Sequence, residues 1–279
     1  MVDISVVIPC YNGATTLGRQ LDALLTQVSR YSFEILISDN RSTDTSAAVI
    51  RSYADHDSRI RYVGAFGSQG INHARNAGVR ESSGKWLLLC DTDDVVEEGW
   101  IEAYGNAFSR GAELLGGPLT HVIGGKTAYE QNRFIDSPWI YQWPYGANCG
   151  FTRVAYDRVH GFDESYRGGG DETDFFWRAQ IAGMKLEWVP AARIAYYSRD
   201  SAHDTFRQKY AYGLSEVKLF LKFREFGMRR QSFTRAPIAA MAAAALYVLR
   251  PSTRRLQAGR LGRNLGRIVG SFRAGVVYF

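Results

Sequence analysis

Residues 90–94 read CDTDD directly after the apolar run WLLL, so Asp91 and Asp93 stand one residue apart at the end of a predicted strand. Two carboxylates this close repel each other unless a cation lies beside them. An oxygen donor set of this kind suits Mg²⁺ or Mn²⁺, an ion that neutralises charge gathering on a departing phosphate. Asp94 reads differently, as the N-cap of a helix VVEEGWIEAY whose first-turn Glu97 and Glu98 suit the helix dipole. A second acidic group, GGGDETD, sets Asp171 and Glu172 at the predicted start of another helix, behind three glycines that permit close approach. Trp139, Tyr141, Trp143 and Tyr145 alternate along DSPWIYQWPYGANCG. Their rings suit the apolar face of a sugar, and equally a strand face turned into the core.

The elements that must position these groups follow from hydrophobic periodicity. Continuous apolar runs at ISVVIP, EILISD, RIRYV and WLLLC read as buried parallel strands. Helical patterns lie between them: Leu17, Leu21, Leu24, Leu25 and Val28 share one face, Ser42 or Thr43 caps a helix carrying Ala47, Val49 and Ile50, and Asn72 to Val79 forms the third. Four β-α units in series predict an α/β fold with a right-handed, doubly wound and mainly parallel sheet. Ligands of such sheets bind beyond the carboxyl ends of the strands. The polar residues fall there: Tyr11 and Asn12 after the first strand, Asp39 and Asn40 at the end of the second, and the three aspartates after the fourth.

At 279 residues and 46% hydrophobic content the chain has enough apolar mass for a substantial core, which excludes disorder and collagen-like architecture. Cys10, Cys90 and Cys149 form no closely spaced pair and suggest neither a disulfide framework nor a cysteine zinc site. The opening MVDISVVIPCYN has no basic leader and reads as a strand, so a cytoplasmic location is expected. The net charge of +6 hides an asymmetry: residues 226–279 hold ten arginines and no acid, leaving a balance of −4 on the remainder. This predicts a body at 1–228 and a basic C-terminal segment at 229–279, suited to an anionic surface.

VVIPCYN, ISDNRSTDTS, GINHARNAG, CDTDD and GGGDETDFFWR, in this order, resemble the inverting glycosyltransferases of family 2 with the GT-A (nucleotide-diphospho-sugar transferase) fold. The resemblance covers roughly residues 3–225. It implies transfer of a sugar from a nucleoside diphosphate to a hydroxyl of a glycan or lipid-linked acceptor, with inversion. Pro9, Tyr11 and Asn12 would line the nucleotide pocket and Asp39 would bond the base. A carboxylate accepts the imide N–H of uracil or thymine, so UDP or dTDP donors are favoured. The family more often has Asp-Gly-Ser at this point, whereas Asn40-Arg41-Ser42 follows Asp39 here. Arg75 resembles the arginine that approaches the nucleotide, Asp91 would meet ribose or sugar hydroxyls, and Asp93 would bind the metal. Either Glu172, by position, or Asp171, by residue type, would take the proton of the acceptor hydroxyl. A histidine that many relatives carry after the late strand has no counterpart in ARIAYYSRD, which predicts weaker metal affinity. Arg199 and Arg207, flanking that stretch, are candidates for steadying the diphosphate.

Leu265, Ile268, Phe272 and Val276 recur at helical spacing in the basic segment, with Arg260, Arg263 and Arg267 elsewhere around the helix. The pattern predicts an interfacial helix, peripheral at the inner face of the membrane, although Gly262, Gly266 and Gly270 weaken it in isolation. Ala236 to Leu249, at 14 residues, is too short to span a bilayer, and together with this helix it is expected to hold the protein at the inner leaflet. Nucleic acid is not an expected partner, because no base-reading module accompanies the arginines. Two other readings remain: a nucleotidyltransferase, which would want a glycine-rich loop after the first strand, and a non-catalytic, membrane-attached nucleotide-sugar-binding protein.

Overall fold

The computed structural model describes residues 2–135, 139–197, 201–230 and 234–278. In chain order its elements begin β1 (Ile4–Cys10), α1 (Leu17–Leu25), β2 (Phe33–Asp39), α2 (Ser46–His56), β3 (Ile60–Gly64), α3 (Ile71–Glu81) and β4 (Trp86–Leu89). There follow β5 (Val95–Val96), α4 (Trp100–Ser109), β6 (Leu114–Gly116), β7 (Leu119–Ile123), β8 (Lys126–Gln131), β9 (Cys149–Thr152) and α5 (Arg153–Arg158). The last are α6 (Asp171–Ile181), β10 (Leu186–Trp188), β11 (Ile194–Tyr197), α7 (Ala202–Phe223), α8 (Arg235–Leu249) and α9 (Arg254–Arg273).

A seven-stranded sheet has the order β10-β6-β9-β4-β1-β2-β3. Its strands run parallel except β9, which pairs antiparallel with both β4 and β6. The chain steps outward from β1 to β2 and β3, then returns to place β4 on the other side of β1. The order reverses there, and the reversal opens a crevice between the carboxyl ends of β1 and β4. The central strands are largely apolar because both faces are covered: Val6 and Ile8 pack in one cluster with Leu17, Leu21 and Trp100, while Val7 packs in another with Leu87, Phe151 and Phe175. A second, four-stranded sheet has the order β5-β11-β7-β8; the RIAYY run reads as a strand and is β11, whereas β5, β7 and β8 are short and half-exposed and give no periodic signal.

Three local expectations change. Val28 is exposed, since α1 ends at Leu25. Neither Ser42 nor Thr43 caps α2, because Asn12 claims both: its N–H donates to Ser42 Oγ, and its Oδ1 accepts from the Thr43 N–H at 2.8 Å. Asp94 caps no helix, as Val95 and Val96 are strand and α4 starts only at Trp100, after Gly99.

The chain divides into two compact units: Met1–Asp136, Tyr141–Glu164 and Glu172–Tyr197 form the first, and Ser137–Ile140, Ser165–Asp171 and Ser198–Phe279 the second. The division takes α7 with the C-terminal helices, ahead of the boundary drawn after residue 228 from charge. Within the second unit, α9 packs along α7 through its glycines. A Cβ at Gly262 would overlap the Phe206 carbonyl and one at Gly266 the Tyr210 carbonyl, while Gly213 of α7 faces Gly266 in return. The residues read as weakening the helix are therefore its contact stripe, where missing side chains let two backbones meet.

Candidate active site at the carboxyl ends of the strands

The β1–α1 loop, the end of β2 and the loop after β4 meet at the strand-order reversal. A Cβ on Gly13 would lie 3.2 Å from Thr92 Cβ, which sets the first loop directly against the acidic one. Asn12, in a left-handed conformation with φ 52°, ties the same loop to the one after β2. Pro9 is buried in β1 and Tyr11 is exposed at the rim. The buried Asp39 accepts from the Ser42 N–H and from the Tyr62 hydroxyl, both at 3.0 Å, which leaves each oxygen one lone pair for a ligand. Arg41 adopts a left-handed φ of 64°, and its guanidinium holds the Phe66 and Gly67 carbonyls. Asn40 grips the same loop through Ala65, Ser68 and Gly70.

Asp91, Asp93 and Asp94 each bring a carboxylate oxygen within 4.8 Å of the others. The cluster is graded: Asp93 is exposed, Asp91 half-buried and Asp94 buried. Tyr197 N–H donates to Asp94 Oδ1 at 3.0 Å, while Asp94 Oδ2 has no hydrogen-bond partner among the described residues. Burial, and then the charges of Asp91 and Asp93, push the Asp94 carboxyl well above the usual carboxylate range. A buried, unsatisfied carboxylate oxygen beside two further carboxylates fits a hard divalent cation, and Asp94 is the member of this set that the sequence reading assigned elsewhere.

Two buried glutamines hold the acidic loop, and neither drew notice in the sequence. Gln20 donates to the Asp91 carbonyl and accepts from the Val96 N–H; Gln27, one heptad on, donates to the Glu97 carbonyl. Gln20 on the leucine face of α1 was the available signal, while Gln27 lies just past the end of that helix. Asn148 is a third such residue. Its Oδ1 accepts from Trp100 Nε1 and the Tyr104 hydroxyl, and its Nδ2 donates to the Pro118 and Ala192 carbonyls, all at 2.8–2.9 Å.

The β4–β9 register joins the two halves of the predicted site. Leu89 pairs with Cys149, so the chain leaving β4 toward Asp91 and the chain entering β9 from Gly146 share one edge of the sheet. At Gly146 a Cβ would lie 2.9 Å from Arg75 Nη2 and 3.5 Å from Glu172 Oε2. Arg75 is 2% exposed, which excludes an ordinary surface arginine. Asp171, also buried, belongs to the second unit together with Arg207, which is exposed on α7; Arg199 lies outside the described residues.

The four aromatics do not share one strand face. Trp143 packs edge-on against Trp177 at 5.4 Å, Tyr145 lies against the opposite core cluster and donates to the Arg133 carbonyl, and the Tyr141 carbonyl accepts from Trp177 Nε1. Trp139 belongs to the second unit, beside Phe223.

The chain is similar to known proteins in sequence and in fold. The sequence model described as "Glycosyl transferase family 2" matches residues 5–172. Validoxylamine A glucosyltransferase of Streptomyces hygroscopicus subsp. jinggangensis is 28% identical over 222 residues, covering 66% of this chain and 52% of that protein. Glycosyltransferase AglE of Haloferax volcanii is 30% identical over 205 residues, covering 72% and 64%. The chain thus spans about half to two thirds of the length of these relatives. Among solved structures, the mannosyltransferase PcManGT from Pyrobaculum calidifontis, in complex with GDP-Man and Mn²⁺, superposes with a TM-score of 0.68 at 16% identity, covering 97% of this chain and 86% of that one. S. aureus TarS 1-349 in complex with UDP gives 0.58 at 16% identity, covering 100% and 93%. The fold is the GT-A fold, and with the family's sequence model matching more than half of its length, the chain belongs to glycosyl transferase family 2.

Proposed function

We propose that this glycosyltransferase moves a sugar from a nucleoside-diphosphate donor to an acceptor hydroxyl with inversion, using the crevice between β1 and β4 for the donor. The observation that carries the reading is the shared edge of β4 and β9, which supports the acidic cluster and Glu172 acting on one substrate pair. Asp39 would accept the imide N–H of a uracil or thymine base, Tyr11 would cover the ring, and Pro9 and Asn12 would shape the pocket. Asp91, Asp93 and Asp94 would hold Mg²⁺ or Mn²⁺, which when bound neutralises charge on the leaving diphosphate. PcManGT, the solved relative with Mn²⁺, also holds GDP-Man, so the pyrimidine preference rests on Asp39 alone.

Glu172 is the proposed base. It would take the acceptor hydroxyl proton on the side of the sugar opposite the diphosphate, while Arg75 beside it holds the carboxylate in place. Asp171 stays the second candidate base, and Arg199 and Arg207 remain candidates for the diphosphate. Tyr141, Trp143 and Tyr145, with Trp139, remain the candidate acceptor contacts, and the acceptor is read as a glycan or lipid-linked hydroxyl met at a membrane surface. The test is release of nucleoside diphosphate from UDP-, dTDP- and GDP-sugars with Mn²⁺ and a lipid extract. Wild-type turnover lost in Asp93→Ala supports the reading; undiminished release by that variant refutes the metal assignment, and release only from GDP-sugars refutes the role given to Asp39.

A further inference from the structure

The helix α8 is bare on one side. Pro237 to Leu249 contains no charged side chain, and its exposed face carries Ile238, Met241, Val248 and Leu249, which are 59%, 67%, 70% and 74% accessible. Spaced at i, i+3, i+10 and i+11, these four fall within one third of the helix circumference, with the exposed Ala242 and Ala245 between them. On the other side Ala236, Ala240 and Ala243 are buried, and α8 packs on α9. A contiguous apolar surface of this length is uncommon unless something covers it.

The charges around it say what. Arg229, Arg230 and Arg235 precede or open the helix, Arg250, Arg254 and Arg255 follow it, and residues 226–279 contain no acid. Arg254, just past the helix, folds back over the Tyr247 ring, 5.7 Å from its centroid, and donates to the Tyr247 carbonyl, which holds this cation at the C-terminal end of α8. Arg263 and Arg267, by contrast, are turned inward on Glu216 of α7. A second copy seated on α8 would bring six like charges against six, which disfavours self-association. An apolar strip bordered by arginine at both ends matches the acyl boundary and phosphates of an anionic bilayer.

We propose that α8 lies in the plane of an anionic membrane surface, with Ile238, Met241, Val248 and Leu249 in the acyl boundary and the flanking arginines on lipid phosphates. This builds on the membrane reading of the basic segment but not on the catalytic one, and it narrows the contact expected of both helices to α8. The face expected on α9 is not continuous: α9 ends at Arg273, before Val276, and Leu265 and Ile268 are half-buried. At 15 residues, α8 suits lying in the interface, and among the described residues no helix is long and apolar enough to cross a membrane.

The three native cysteines are buried, so an environment-sensitive label reports from one introduced site. Met241→Cys and Ile268→Cys proteins would be labelled and mixed with phosphatidylcholine vesicles, with and without phosphatidylglycerol. The expected result is a blue shift at 241 only, on anionic vesicles, weakened by salt. Combined Ile238→Glu, Met241→Glu and Val248→Glu should lower vesicle flotation at least about tenfold while donor turnover with a water-soluble acceptor is unchanged. A shift at 268 instead of 241, no flotation of wild type at low salt, or a wild-type dimer that the triple variant dissolves would each overturn the proposal. Loss of turnover in wild type with flotation intact would instead strike the catalytic reading.

Discussion

Arg75 and Glu172, 97 positions apart in the chain, approach the same point, the place where Gly146 lacks a side chain. The guanidinium comes from the buried face of α3 and the carboxylate from the first turn of α6, and a Cβ at this point would crowd the guanidinium while meeting the carboxylate at ordinary contact distance. Gly146→Ala would put a methyl 2.9 Å from Arg75 Nη2 and displace the guanidinium, since Arg75 has little free space around it. A shift of this size at a positioning group lowers turnover by roughly 10²-fold. Glu172→Gln, which keeps the shape and removes the base, should cost about 10²–10⁴-fold in kcat. Donor affinity, measured by calorimetry, should stay within a few-fold in the Gln variant; a large loss of affinity would make Glu172 a donor ligand and not the base.

Asp94 links metal to pH. Its carboxyl titrates well above the unfolded value, chiefly through burial and then through Asp91 and Asp93. The contribution to stability is therefore full below the ordinary carboxylate range and is lost as pH rises through the raised value. In chelator, the thermal midpoint should fall as pH rises through the raised value, and Mn²⁺ or Mg²⁺ should restore it. Asp94→Asn should raise the midpoint in chelator, flatten its pH dependence and abolish the response to metal. Scanning calorimetry at several pH values decides this; a midpoint indifferent to metal would contradict the assignment of the cluster.

Asn148 is expected to matter for stability out of proportion to its size. Asn148→Ala would strand the indole N–H of Trp100, the hydroxyl of Tyr104 and two carbonyls in a dry interior. Unpaired buried groups cost about 1–3 kcal/mol each, so urea unfolding should report a loss of at least about 3 kcal/mol. Asn148→Asp would keep the acceptor and lose the amide donor, and should also destabilise.

In the second unit, Gly266→Ala should drive α9 away from α7, because the added methyl meets the Tyr210 carbonyl. Overpacking of this kind costs roughly 1–3 kcal/mol. Gly275→Ala places its methyl in open space, although its φ of 63° strains a side chain there, and should cost less, near 1 kcal/mol. Equal losses in the two variants, measured by thermal unfolding, would show that the stripe is not a packing surface.

Much of the catalytic half was legible because local chemistry and periodicity agree along it. Buried strands followed at once by Tyr11–Asn12, Asp39–Asn40 and Asp91–Asp94 announce both a sheet and its functional rim. Asp94 was misread since a capping aspartate and a buried member of an acidic cluster look alike in sequence; only the placement of Val95–Val96 beside β11 distinguishes them. Gln20, Gln27 and Asn148 were passed over because an amide has no pattern until its partners, about 70 residues away for Gln20 and Gln27 and 30 to 48 away for Asn148, are brought to it. The glycines of α9 carried the same ambiguity, costly to a lone helix and necessary to a close-packed pair.

Alternation of apolar runs with helical faces determined the parallel sheet by itself, and with it the edge where polar residues gather, because side-chain burial and backbone pairing are local consequences of residue type. The tertiary structure alone decided which polar groups meet. The antiparallel entry of β9 beside β4, the convergence of Arg75 and Glu172 on Gly146, and the side of the C-terminal helices left open to solvent all depend on long-range packing, in which the partner of each residue is set by the whole fold and not by its neighbours in the chain.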